Sequence, residues 1–201
     1  MDYGAAVRHR HCCASGVDGA FSVAVLRQRS ELSALAADCA DLALHCAESS
    51  RLDPPRQEGT RCVLVWTGAR GRGRLGALVP FGAPVLYQGL PLVALRSCTP
   101  LLRLGWEQAA LHALLDWFHA DGEGAALLEF RGLARGGPVE AAFAEVARRR
   151  EQLVLAAAAP DNRVTLLVAD RKWSEMDASR QPLLRWAKRS AASMLYGGLD
   201  L

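Results

Sequence analysis

Apolar positions along this chain alternate between two periods. Phe21–Leu26 (FSVAVL) is a short, mostly apolar block, the pattern of a strand. From Ser30 the period becomes helical, with Leu32, Leu35, Ala36, Cys39, Leu42, Ala43 and Cys46 on one face. Ser30 supplies a capping hydroxyl, so a helix is predicted from Ser30 to about Ala47. Ser49–Gly59 carries Pro54-Pro55 and predicts a loop. Three extended segments follow: Cys62–Thr67, Leu75–Phe81 and a strand within Val85–Leu95, placed at Leu90–Leu95. A helix is predicted over Trp106–His119, where Gln108, His112, Asp116 and His119 leave only a thin polar stripe. Ala125–Phe130 reads as a buried strand. Pro138 after Gly137 opens a helix that closes on Arg148-Arg149-Arg150, a favourable charge at a helix C-terminus. Val164–Ala169 predicts another strand, and Pro182–Leu195 a last helix.

This order predicts an α/β fold on a mixed sheet. Three consecutive strands make an antiparallel meander, and the strictly alternating β-α-β-α that follows makes parallel crossovers, with helices on both faces. Residues 1–20 lack a period and are expected to form a flexible tail. The sheet domain is placed at 21–170, and 171–201 is expected to be a basic helical segment.

One stretch competes with that fold. Gly71-Arg72-Gly73-Arg74-Leu75-Gly76 spells G-x-G-x-x-G, the glycine pattern of dinucleotide-binding loops. Such a loop needs a helix N-terminus after the last glycine, to face a pyrophosphate. Here Ala77-Leu78-Val79-Pro80-Phe81 follows, which is extended. Residues 68–73 are therefore read as a hairpin turn between two strands, with the arginines keeping its tip soluble.

Composition narrows the class. The chain has 201 residues, 51% of them hydrophobic and 22% charged, which is enough to bury a substantial core. A net charge of +3 is too small to imply nucleic acid by itself. No apolar run reaches the roughly 18 residues of a spanning helix. The six cysteines, without a secretory leader, are read as small buried hydrophobes in a reducing cytoplasm.

The order of elements resembles the GCN5-related N-acetyltransferase (GNAT) superfamily: strand, one or two helices, three antiparallel strands, helix, strand, helix, closing strands. Local wording is similar to the N-terminal half of the acetyltransferases associated with cellulose and exopolysaccharide synthesis (the CelD/BcsL type). The segments concerned are Glu31-Leu32-Ser33-Ala34-Leu35, Leu75–Phe81, Leu95-Arg96-Ser97 and Ala113-Leu114-Leu115-Asp116-Trp117. The resemblance implies acetyl transfer from acetyl-CoA to an amine or hydroxyl, with a small-molecule or saccharide acceptor. It also implies a second GNAT-like half or a homodimer as partner, because that family pairs two halves. GNAT enzymes hold the coenzyme pyrophosphate with R/Q-x-x-G-x-G/A between the fourth strand and the next helix. The stretch Arg96–Trp106 departs from that motif; Arg103 and Gly105 are the residues of the right type there, and Pro100 removes a donor. A catalytic acid could come from Tyr87, Tyr196 or Cys98, among which the sequence does not choose.

Other constellations have plainer readings. His9, His11, Cys12 and Cys13 lack zinc-finger spacing and belong to the tail, so no metal is expected. His112, Asp116 and His119 share a helical face and are read as its solvated stripe. Arg171, Lys172, Arg180, Arg185, Lys188 and Arg189 interleave with Trp173 and Trp186. That segment is read as a helix packing on the sheet rather than as a nucleic-acid surface. Three functions stay open: an acyltransferase that could be catalytically incomplete, a GNAT-shaped scaffold or dimerisation module, and a basic nucleic-acid-binding domain.

Overall fold

The structure, a computed structural model, describes residues 10–12, 21–48, 61–68, 73–86, 93–121, 124–152, 154–159, 161–169 and 193–196. The elements in chain order are strands β1 (Arg10–Cys12) and β2 (Phe21–Leu26), then helices α1 (Arg29–Ser33) and α2 (Ala36–Leu44). Strands β3 (Arg61–Thr67), β4 (Leu75–Phe81), β5 (Val85–Leu86), β6 (Val93–Ser97) and β7 (Leu101–Leu102) follow. Then come α3 (Glu107–Asp121), β8 (Leu127–Ala134), α4 (Pro138–Arg150), β9 (Val154–Ala158), β10 (Arg163–Ala169) and β11 (Ser193–Tyr196).

All the strands share one sheet, in the order β1-β2-β3-β4-β6-β8-β10-β9-β11, with β5 on β6 and β7 on β4. Every described pairing is antiparallel except β6 with β8. This is the mixed α/β sheet the sequence predicts, with the succession of strands and helices implied by the GNAT resemblance. Of the expected parallel crossovers, however, only β6 to β8 is parallel among the described strands; after α4 the chain turns back in β9, so that β10 pairs β8 antiparallel.

The unbroken apolar runs have a packing cause. In β3, every residue from Arg61 to Trp66 is buried. Val63 and Val65 face one core with α3 and α4, while Cys62, Leu64 and Trp66 face a second core with Leu42 of α2. A strand covered on both faces cannot alternate apolar with polar. Burial of Cys62 pushes its thiol up to about 11, so it packs as a hydrophobe.

Several expectations are corrected. The helix foreseen from Ser30 to Ala47 is two helices, broken at Leu35, whose φ of −107° and ψ of 19° leave helical space. The cap moves from Ser30 to Gln28, where the Glu31 carboxylate accepts both the Arg27 and Gln28 N–H groups, each at 3.0 Å. Residues 93–95 of the strand placed at Leu90–Leu95 lie in β6, which runs on to Ser97, while 90–92 fall outside the described residues; β8 runs four residues beyond Phe130, to Ala134. Strand β9 (VLAAA) was not foreseen, because alanine is a poor strand former. It is held by pairing on both sides, to β10 and β11. Residues 193–195 lie in β11 rather than in a helix, and most of the expected 182–195 helix falls outside the described residues. Both β1 and β11 belong to the sheet, which reaches into the segments set apart as tail and C-terminal helix.

Candidate functional site

The site begins where parallel strands separate. β6 and β8 stay paired from Ala94 opposite Leu127 to Ser97 opposite Phe130. Beyond that point β8 runs on to Ala134, but the chain after Ser97 turns through Cys98–Pro100 and joins β4 instead. Ser97 lies opposite Phe81 and Leu101 opposite Leu78, so four steps on this side answer three on β4. The extra residue is a bulge that swings the strand away from β8. The result is a cleft with β7 as one wall and the end of β8 as the other. The Thr99 hydroxyl donates to the Gly132 carbonyl at 3.2 Å across its root.

The chain fills part of this cleft itself. Arg103 N–H donates to the Gly76 carbonyl of β4 at 2.8 Å, so the backbone groups of Leu102 and Leu104 turn the other way. There Ala47 N–H donates to Leu102 O and Leu104 N–H donates to His45 O, both at 2.8 Å, and Cys46 forms an antiparallel bridge with Arg103. The Glu48 carboxylate then crosses to Ala134 N–H at 3.0 Å. Its Oε2 is buried without a hydrogen-bond partner and lies 3.1 Å from where a Cβ on Gly137 would stand. Gly137, the N-cap of α4, therefore makes room for that carboxylate.

Arg103 and Gly105, the residues nominated from sequence, flank the turn into α3. Gly105 has φ +81°, a conformation that favours glycine, with open space at its Cβ position. The first-turn amides of α3 beyond it have no intrahelical acceptor, which suits an anion. Arg103 is differently placed. It is 5% exposed; its Nε donates to Leu75 O at 2.8 Å, and its Nη2 pairs with the Asp41 carboxylate. Its guanidinium also lies 5.4 Å from the centre of the Trp106 ring. The hydrogen bond from Arg103 holds the Asp41 carboxyl below its ordinary range.

The glycine pattern at 71–76 also resolves. Residues 69–72 lie outside the described residues, but the base of the hairpin is clear: Thr67 N–H donates to Arg74 O, and Arg74 N–H to the Thr67 hydroxyl, each at 3.0 Å. A Cβ at Gly73 would stand 1.4 Å from the Thr67 carbonyl oxygen. A Cβ at Gly76 would meet the Trp106 ring at 3.4 Å. Both glycines serve packing.

Beside the cleft root lies a charged cluster that sequence reasoning missed. Glu129 of β8, 2% exposed, stands opposite Arg96 of β6 in the parallel register. It accepts from Arg96 Nε at 2.6 Å and from Arg131 Nε at 2.9 Å. The spacing of Glu129 and Arg131 on one strand face was a usable signal; the partner Arg96 came only with the register.

The helical stripe reads differently from expectation. Arg150 Nη2 pairs with Asp116 at 2.7 Å, and Arg150 Nη1 lies 3.3 Å from His112 Nδ1. The stripe is therefore an interface between α3 and the end of α4 rather than a solvated face. Burial, then the charge of Arg150, lowers the His112 pKa below 6.5, against an opposing pull from Asp116. Beside it, His119, Arg149, Arg150, Glu151 and Gln152 line a pocket of about 320 Å³.

Among the possible acids, Cys98 is an exposed thiol in the bulge, Tyr87 lies outside the described residues, and Tyr196 is placed by its backbone in β11. His9, Cys13, Trp173, Trp186 and the basic 171–189 segment also lie outside them. Among the described residues, no group of three or more His, Cys, Asp or Glu could hold a metal, and no helix is long and apolar enough to cross a membrane.

No family model matches this chain, and no curated protein matches it. Among solved structures, Mycobacterium smegmatis RimJ in complex with CoA-disulfide is similar at 14% identity, covering 84% of this chain and 90% of that one, with a TM-score of 0.46. That likeness carries no residue-level argument.

Proposed function

We propose that the chain is a GNAT-like acyltransferase domain that takes acetyl-CoA and an amine or hydroxyl acceptor. The observation that carries this reading is the separation of the one parallel pair, β6 and β8, beside the N-terminus of α3. Anionic phosphates would lie against the amides from Gly105 into α3, where the helix end favours negative charge. Arg103 would act there by fixing the turn, since both its Leu75 and Asp41 partners hold it inward. The wording shared with the exopolysaccharide-associated acetyltransferases favours a saccharide acceptor. Calorimetric titration with acetyl-CoA tests the reading: saturable one-to-one binding is expected, with a matching rise in melting temperature. No heat and no shift at millimolar acetyl-CoA would overturn it.

The segment 45–48 favours a second reading. It already bonds the β7 edge that an extended ligand in the cleft would use. A scaffold or dimerisation module of the same shape would keep that segment in place permanently. Concentration-dependent sedimentation without acetyl-CoA binding would favour this second reading.

A further inference from the structure

We infer that Arg96 and Arg131, held by Glu129, form an anion-binding fork at the root of the cleft, which takes a carboxylate or phosphate of the acyl acceptor. The inference rests on the acyltransferase reading for the word acceptor, but not for the anion site.

Charge is the first argument. Two guanidinium groups share one carboxylate, so the cluster keeps an excess positive charge. On the neighbouring strand β10, Arg163 stands opposite Ala134, is paired with the exposed Asp161 and donates to Gly132 O at 3.1 Å, so that pair adds no net negative charge to the cluster. Geometry is the second. Arg96 uses only its Nε, and Arg131 uses Nε and Nη2, both toward Glu129. Among the described residues, both terminal nitrogens of Arg96 and Nη1 of Arg131 have no hydrogen-bond partner, and each carries N–H donors.

Preorganisation is the third. The Glu129 side chain is 3% exposed, whereas those of Arg96 and Arg131 are 34% and 54% exposed. The buried carboxylate fixes the roots of two side chains whose outer ends reach water. Part of the entropy of ordering two long side chains is thus met before a ligand arrives. A planar oxyanion matches such paired donors better than a point charge does.

Position is the fourth. Arg96 immediately precedes Ser97, the last residue of β6 paired with β8, and Arg131 immediately precedes Gly132, which receives the Thr99 hydroxyl across the cleft root. A molecule held by the fork lies where the two walls part. The contrasting case is Glu145, which also serves two arginines, Arg148 and Arg149. That trio lies along one helix edge, and its carboxylate is itself 27% exposed, so it has no buried anchor.

The test is an NMR titration following the Nε–Hε signals of Arg96 and Arg131 in the full chain. The probes are inorganic phosphate and succinate, each against sodium chloride at matched ionic strength. Saturable shifts are expected, with phosphate and succinate separating the two anion sources. Binding should weaken at least about tenfold in Arg131→Gln, since one charge-assisted donor set is lost. Linear shifts equal to those from chloride, or unchanged affinity in a folded R131Q, would overturn the site. The acceptor role is read separately, with phosphoethanolamine and ethanolamine as acetyl acceptors. R131Q should raise KM for the first at least about tenfold more than for the second, the same charge-assisted contact being lost; an equal change in both would overturn the acceptor role. Saturable anion binding with no acetyl transfer to either amine would sink the acyltransferase reading and keep the fork as an anion site.

Discussion

Arg103 and the Arg96–Arg131 pair carry the same chemistry in opposite circumstances. Arg103 is buried, with its Nε held by a main-chain carbonyl, its Nη2 by a carboxylate and its guanidinium beside an aromatic ring. In the fork it is the carboxylate that is buried, while the guanidinium groups reach water. The first arrangement joins α2, β4 and the turn into α3. The second leaves donors over. An arginine near a cleft is thus a ligand group only when its partners do not exhaust it.

Mutations can break that comparison. Arg103→Ala should have the largest effect on folding, a loss of about 3 kcal/mol, because a buried carbonyl loses a charged donor and the packing on Trp106 goes with it. The urea midpoint measures this, and a loss no greater than that of Arg131→Ala would erase the distinction. Glu129→Ala should cost less, about 1–2 kcal/mol, since the two arginines it releases can turn to water. Its signature would be broadened Nε–Hε signals of both. Glu48→Ala should cost about 1 kcal/mol by leaving Ala134 N–H without its acceptor. Hydrogen exchange at Ala134 and Ala47 should speed up; unchanged exchange at Ala47 would mean the strap does not depend on that carboxylate.

The smallest effect is in pH dependence. His112 has a pKa lowered from 6.5 in the folded state, so the unfolded chain binds its proton first. Its contribution is complete above pH 6.5 and is lost as pH falls through the lower folded value. His112→Gln should flatten stability against pH below 6.5 and leave the alkaline side unchanged. Asp41 acts in the same direction further down. Its contribution is present above its ordinary 3.8 and lost as acid titrates the folded group, and Arg103→Ala should remove that step.

Much of the frame was legible in the sequence. Helix Pro138–Arg150 begins and ends where Gly137-Pro138 and the arginine run predicted. The G-x-G-x-x-G stretch was recognised as a hairpin because extended residues follow it, and the pairing of β3 with β4 bears this out. Helix α3 was recognised as nearly all buried, but its polar stripe was assigned to solvent. Asp116 meets Arg150 across a helix-packing interface, and periodicity along one helix carries no information about its neighbour.

The site divides in the same way. Arg103 and Gly105 were nominated because they precede a predicted helix, where the GNAT resemblance puts a pyrophosphate motif. Arg96 with Glu129, and Glu48 with Ala134, are separated by 33 and 86 residues and meet only through sheet register and a cleft-crossing side chain. By itself the sequence determined strands β2, β3, β4, β8 and β10, helices α3 and α4, and that the sheet is mixed, since these follow from local period and order. Only the tertiary structure decided that β6 leaves β8 after Ser97, that residues 45–48 occupy the gap, and which arginines are spent. Those outcomes depend on a one-residue bulge and on partners far apart in the chain, and no local pattern records either.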